Sequence, residues 1–497
     1  QITDGELKIS DENGEEHSVK AAAWTEELSC DKELKYYLIV YLSNQEQSLF
    51  NALSEFGFNR ISFPELRGTV SDNIKTINDK KEDIEEKRQE LKNKLNEYAK
   101  RLSDTEKAID ILSNEKRLFE VREKVLLTQS AFMLEGWTPA ERMPDIVSLC
   151  EKYGAYLIEE DPKPDEEPPI KLKNHKLVEP FETVTEMYSL PIYRGIDPDF
   201  LIAPFYFVFF GVMLSDAGYG LLLALGCFFA LKKMNLRGSL RKMVKMFMFG
   251  GISTVVWGLL FGSFFGDAVG VISQTFFSGS IALKPIWFDP VSDPITLLVV
   301  SFIMGYIHIM VGLGTKMYLL IRDKDYVSAV CDIGFWMILL IGLPLFLVNS
   351  TVAAVISIIG ALGLVFTQGR NKKGIFGKVI GGVGSLYGIT GYFSDLLSYS
   401  RILALGLSAG VIGSVFNKLG SLGGKNIIGV ILFIVIFTLG HLLNLALSTL
   451  SAYVHTSRLQ FIEFFSKFYE SGGRAFNELG VHGEYSDIVL TKNNNKK

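Results

Sequence analysis

Seven long apolar runs fill the second half of the chain, at about 199–231, 243–275, 294–321, 327–348, 351–367, 375–417 and 427–469. A hydrocarbon core about 30 Å thick is crossed by roughly 17–25 apolar residues in a helix. These runs therefore read as membrane-spanning helices, and no soluble domain of ordinary composition accommodates them. The chain has 497 residues, 48% of them hydrophobic, with 36 Phe and a net charge of −5. That charge conceals a division, because residues 1–180 hold most of the charged side chains. Nothing in the balance points to nucleic acid. The four cysteines, Cys30, Cys150, Cys227 and Cys331, are widely spaced and read as reduced packing residues, with neither metal-site spacing nor a disulfide framework.

Loop charge sets the orientation of the runs. Three connections are basic: Lys232 to Lys245, Arg322 to Lys324, and Arg370 to Lys378. The loops at 276–293, 348–350 and 419–426 carry almost no positive charge. With the front half cytoplasmic, a single span for 199–231 places the most basic loop outside. A hairpin turning near Asp216-Ala-Gly-Tyr-Gly220 removes that conflict. The expectation is eight spans in a cell membrane, with both termini cytoplasmic.

The front half divides further. Residues 1–70 read as a small α/β piece, with a strand at Leu34–Leu42 and a helix at Asn44–Phe56. Residues 71–125 form a charged helix with a seven-residue repeat. Ten of the fourteen seam positions between 74 and 119 are apolar, including Ile77, Ile84, Leu91, Leu95 and Leu102. Such a seam describes a coiled-coil strand about 70 Å long, which needs a partner helix. A solvated charged helix is the plainer alternative. Residues 126–165 return to α/β character, with a strand at Ser130–Trp137; Glu159–Pro169 is acidic and proline-rich, and a linker leads through 166–198 into the membrane domain at 199–472. Residues 473–497 form a tail. The fold class is thus multi-domain: an α/β and coiled-coil arm followed by an all-α polytopic membrane domain whose last two helices are long and tilted. Gln1 follows no initiator Met, and the chain reads as a fragment lacking its natural N-terminus.

Charge inside the apolar half marks the candidate site. Arg401 lies within Phe393-Ser-Asp-Leu-Leu-Ser-Tyr-Ser-Arg-Ile-Leu-Ala-Leu-Gly-Leu-Ser408. Its guanidinium cannot shed its charge, with a pKa above about 12. Holding it at bilayer depth costs roughly 2.5–3.5 kcal/mol on lenient insertion scales. On the final run His441, Asn444, Ser448, Ser451, His455 and Arg458 recur at intervals of three and four, hence on one helix face. The stripe covers a rise of about 26 Å. A second stripe, Tyr387, Thr390, Ser394, Ser398, Arg401 and Ser408, has Asp395 at its flank. Small polar residues also glue membrane helices together without further purpose. Two arginines with histidines beside them instead suit an ion pathway. Glu463 follows Arg458 by five residues and is poorly aligned with it on an α-helix. Asp216 and Asp267 sit at Gly-rich turns, where capping accounts for them equally well, and His308 on its apolar helix reads as a hydrogen-bonded packing residue.

Together these segments resemble the membrane-embedded a/I subunit of prokaryotic V-type and A-type rotary ATPases. The resemblance is carried by Pro204–Phe210, Met213-Leu-Ser-Asp-Ala-Gly-Tyr-Gly220, Gly258-Leu-Leu-Phe-Gly-Ser-Phe-Phe-Gly-Asp267 and Gly305-Tyr-Ile-His-Ile309. It is strongest in Ser398–Ser408 and Leu450–Tyr469. It implies a non-catalytic stator with two offset ion half-channels against a rotor ring of c/K subunits. Arg401 and Arg458 match the family's paired arginines, and no cofactor beyond the transported H+ or Na+ is implied. Peripheral-stalk subunits of the E/G type would hold the arm, and a preceding helix of the same chain would complete the coiled coil. A secondary transporter with a polar midplane site is the alternative, but the inverted repeats it calls for are not visible.

Overall fold

The computed structural model describes residues 5–10, 16–21, 23–30, 35–43, 46, 49, 50, 53, 61, 68–163, 165–277, 279, 284–370, 375–480, 483 and 485. The chain divides into two units, Gln1–Ala108 and Ile109–Lys497.

In the first unit, β1 (Gly5–Ser10) pairs antiparallel with β2 (Glu16–Ala21), and β3 (Ala23–Cys30) with β4 (Lys35–Tyr41). The expected strand at Leu34–Leu42 corresponds to β4, where Tyr36-Tyr-Leu-Ile-Val-Tyr41 supplies β-branched and aromatic residues. Most of the helix expected at Asn44–Phe56 lies outside the described residues. The charged repeat becomes one helix, α1 (Val70–Lys124, 55 residues). Thr69 caps it, its hydroxyl accepting from the Asp72 amide at 3.2 Å. The seam residues Ile77, Ile84, Leu91, Leu95 and Leu102 are all exposed.

In the second unit, α1 passes into a short hairpin of β5 (Leu126–Leu127) and β6 (Phe132–Met133). The strand expected at Ser130–Trp137 shrinks to these two residues, which face solvent and have no third strand beside them among the described residues. Helix α2 (Met143–Tyr153) ends on Gly154, in the left-handed conformation. The segment read as a linker is folded. It carries α3 (Glu182–Tyr188) and β7 (Leu190–Pro191), and Phe181 and Val184 lie in the core.

The helical half follows: α4 (Asp199–Leu214), α5 (Ala217–Lys233), α6 (Gly238–Phe261), α7 (Ala268–Phe276), α8 (Pro294–Arg322), α9 (Tyr326–Leu345) and α10 (Ser350–Thr367). After them come α11 (Ile375–Leu386), α12 (Ile389–Ser398), α13 (Ser400–Ser421) and α14 (Ile427–Arg458). A π-helical turn, Leu459–Phe464, leads to α15 (Phe465–Phe468) and β8 (Ser471–Gly473). Strand β8 pairs antiparallel with β7, so the chain just beyond the last helix is stitched to the segment before α4.

Among the described residues six helices are long and apolar enough to cross a membrane: α6, α8, α9, α10, the broken pair α12–α13 with the end of α11, and α14 continued through α15. Helices α4 and α5, of 16 and 17 residues, are shorter than these. Helix α4 is apolar on every side and accordingly buried, with Ile202, Tyr206, Phe209, Phe210, Met213 and Leu214 in the core. It runs along α6 in the same direction, while α5 runs back along α6 from the break at Ser215. The reversal is fixed by close approach. A Cβ on Gly258 would lie 2.1 Å from the Ala217 nitrogen, so only glycine lets the start of α5 meet the end of α6.

Candidate functional site

Helices α13 and α14 pack antiparallel, but the second polar stripe does not as a whole face the first, since Tyr387, Thr390, Ser394 and Ser408 are exposed. Asn417 and Ala409 of α13 meet His441 and Asn444 of α14. Arg401, two turns nearer the start of α13, lies toward the far end of α14. Its Nη1 is 3.8 Å from Glu463 Oε1. That is an ion pair without a hydrogen bond. Among the described residues, buried Arg401 Nη1 and Glu463 Oε2 both lack a hydrogen-bond partner. The Arg401 side chain is 22% exposed and Glu463 only 1%.

Glu463 is buried and Arg458 exposed, so the two do not share a face. A π-helical turn is bonded i→i+5, against i→i+4 in an α-helix. The π-turn at Leu459–Phe464 inserts the extra residue between Arg458 and Glu463. The carboxylate lies inward facing Arg401, while Arg458 is exposed on a helix surface that otherwise presents Leu450, Val454 and Ile462. His455 is half-buried with its Nδ1 unpartnered.

At the other level of the same helix pair the stripe becomes a closed network. The Tyr219 hydroxyl and His441 Nδ1 are 2.6 Å apart. His441 Nε2 is 2.9 Å from Asn417 Oδ1, and the Asn417 amide donates to Asp267 at 2.9 Å. Asn444 donates to the Tyr219 hydroxyl at 2.8 Å and to the Ala409 carbonyl at 3.0 Å. Ser448 donates to Asn444 Oδ1 at 3.1 Å. Sequence reading named His441, Asn444 and Ser448 but missed Tyr219 and Asn417. Tyr219 belongs to the Asp-Ala-Gly-Tyr-Gly motif, which was the available signal.

The other predicted residues fall in different places. Buried Asp216 caps α5 by accepting from the Tyr219 amide at 3.0 Å. It also accepts from the Ser263 hydroxyl at 2.6 Å and from the amides of Phe265 and Gly266 at 2.9 and 2.7 Å. Four bonds occupy the usual acceptor sites of a carboxylate, so Asp216 anchors the 263–266 turn against the helix start. Asp395 forms an ion pair with Lys467, joining α12 to α15. Ser398 stands beside the Glu463 carboxyl. Ser394 is exposed and Ser451 half-buried, and neither side chain joins either network.

The fold and site define a class: a polytopic membrane protein with a fixed cation, incompletely satisfied by the described residues, at the meeting of two long helices. Residues 8–289 and 389–481 match the V-type ATPase 116kDa subunit family. The chain is 32% identical to the A-type ATP synthase subunit I of Thermococcus kodakarensis, over 97% of this chain and 74% of that protein. It is 31% identical to the A-type ATP synthase subunit I of Methanothermobacter thermautotrophicus, over 98% and 70%. For the A-type ATP synthase subunit I of Methanocaldococcus jannaschii the values are 29%, 93% and 71%. The chain belongs to the V-type ATPase 116kDa subunit family, as a membrane subunit and not a catalytic one.

Proposed function

We propose that the chain is the stator of a V/A-type rotary ATPase. It lays two ion half-channels against a ring of rotor subunits and couples H+ or Na+ movement to rotation. One observation carries the reading: Arg401 keeps a buried donor nitrogen that no acceptor among the described residues satisfies, and its ion pair with Glu463 is long. A permanent cation so placed suits a transient carboxylate on a separate, moving subunit. It lowers the pKa of that carboxylate and expels its ion. It also repels cations that would leak directly between the two paths. Exposed Arg458 gives the same apolar surface a second positive charge.

The polar groups fall at two levels, which suits offset half-channels. Tyr219, Asn417, His441, Asn444 and Ser448 line one, with Asp216 anchoring its wall. His455, Glu463, Ser398 and the pair Asp395–Lys467 lie near the other. Counting α4 and α5 as a hairpin gives eight spans and puts every basic loop on the side of the termini, taken as cytoplasmic. The exposed seam of α1 suits a coiled-coil arm completed by a second helix and held by peripheral stalk subunits.

The test uses the assembled complex in liposomes. Arg401→Gln and Arg401→Lys are expected to assemble and hydrolyse ATP while moving no ions, because an ammonium is more strongly hydrated and has a shiftable pKa. Full transport by either variant overturns the proposal.

A further inference from the structure

We propose that His308 is the positioning residue of the arginine centre, holding the two segments that carry Arg401 and Glu463 in one fixed relation. This rests on the stator reading for its consequence, but the geometry is independent of it. His308 of α8 uses both ring nitrogens. Nδ1 lies 2.8 Å from the Tyr399 hydroxyl, and Nε2 lies 3.2 Å from Gln460 Oε1. All three residues are fully buried. With Gln460 Oε1 as acceptor, Nε2–H donates and Nδ1 accepts from the tyrosine.

The partners are placed where they matter. Tyr399 is the residue at which α12 ends and α13 begins, two positions before Arg401. Gln460 lies inside the π-turn, two positions after Arg458 and three before Glu463. One imidazole therefore links the phase of α13 to the phase of the π-turn. A straight α-helix needs no such tie, but a helix break and a π-turn each leave a rotation that local hydrogen bonds do not fix.

The ring itself has little freedom. Phe464 stacks on it at 4.2 Å between centroids with 13° between planes, and Phe205 lies at 4.4 Å. One turn earlier on α8, Gly305 removes the side chain that would otherwise meet the Tyr399 ring, since a Cβ there would lie 2.4 Å from it. Gly305 and His308 thus form one device: the glycine admits the tyrosine ring, and the histidine captures its hydroxyl. Among the described residues the Gln460 amide nitrogen is buried without an acceptor, and His308 holds that carboxamide through its oxygen. A hydrophobic residue at 308 would fill the same volume among phenylalanines at lower desolvation cost. The polar ring is accounted for by the link it makes.

The experiment compares His308→Leu, His308→Gln and Tyr399→Phe in the assembled complex in liposomes, measuring ATP hydrolysis, ion uptake and thermal midpoint. His308→Leu and Tyr399→Phe are expected to keep ATP hydrolysis but lower ions moved per ATP about tenfold, the scale of a lost buried hydrogen bond. His308→Gln, which keeps a polar atom near the Nε2 position and none at Nδ1, holds Gln460 but frees Tyr399, so it is expected to lower the ratio as far as Tyr399→Phe does. The double variant should lose no more than His308→Leu alone, because both break one link. The proposal is overturned by a wild-type ratio in His308→Leu or in His308→Gln. If His308→Leu does not assemble, Tyr399→Phe decides, and a wild-type ratio there overturns it equally. Arg401→Gln in the same assay separates the two ideas: transport by that variant removes the stator reading, whereas its loss beside a normal His308→Leu removes only the lock.

Discussion

Arg401 and Glu463 face each other at 3.8 Å across α13 and the π-turn, close enough to attract and too far to share a hydrogen bond. Glu463 supplies a negative charge that lets Arg401 remain in the bundle without holding it fast. The expected result of Glu463→Gln is a guanidinium with its countercharge gone. Removing one partner of a buried polar pair costs about 1–3 kcal/mol. The thermal midpoint of the purified complex should fall, and ion transport with it. An unchanged midpoint together with unchanged transport would show that the pair contributes nothing.

Tyr219→Phe deletes one hydroxyl that serves both His441 and Asn444. Asn444 keeps its bond to the Ala409 carbonyl, while His441 Nδ1 is left buried and unpaired. A destabilisation of about 1–3 kcal/mol follows from the orphaned ring nitrogen. Thermal unfolding of the variant checks it. Replacing His441 by Leu in the Tyr219→Phe background removes the orphan, so that double variant should be less destabilised than the sum of its parts.

The sequence disclosed what depends on local helical period. The stripe from His441 to Arg458 is legible because α14 is regular over that stretch and places residues three and four apart on one face. The pairing of Glu463 with Arg401 was not legible, because the partner lies on another helix and nothing in Leu459-Gln-Phe-Ile-Glu-Phe464 announces the π-turn. The anchoring of Asp216 was equally hidden, since three of its four donors come from the turn at 263–266, about fifty positions along the chain. His308 was read as a hydrogen-bonded packing residue. Its bonding partners lie 91 and 152 positions away and could not be named. The apolar runs gave the long helices but not a count of spans, because α4 and α5 are short and α4 is buried by its neighbours.

Gly258→Ala tests the contact that reverses the chain. The added methyl would stand 2.1 Å from the Ala217 backbone nitrogen, so one helix must move. Overpacking of this kind costs typically about 1–3 kcal/mol. Gly226→Ala on α5 is the control, with nothing within 4 Å of the new methyl. It gains roughly 1 kcal/mol of helix propensity or changes nothing. Comparable melting of the two variants would mean that α5 and α6 do not meet as closely as described.

The π-turn makes an unusual forecast about deletions. A π-turn is an α-helix carrying one additional residue. Deleting Ile462, which is exposed within that turn, lets the backbone relax to α-helical pairing. Arg458 and Glu463 are then separated by four positions, and the carboxylate still faces Arg401. Deleting Val454, exposed in the regular part of α14, offers no such relaxation. It rotates one side of the helix by about 100° against the other and breaks the register of either the His441 network or the arginine centre. The Ile462 deletion is therefore expected to assemble and retain measurable transport, displaced only by about 1.5 Å along the axis. The Val454 deletion is expected to retain none. Equal loss in both would mean that the extra residue does more than align Glu463, and that the turn's own shape is required.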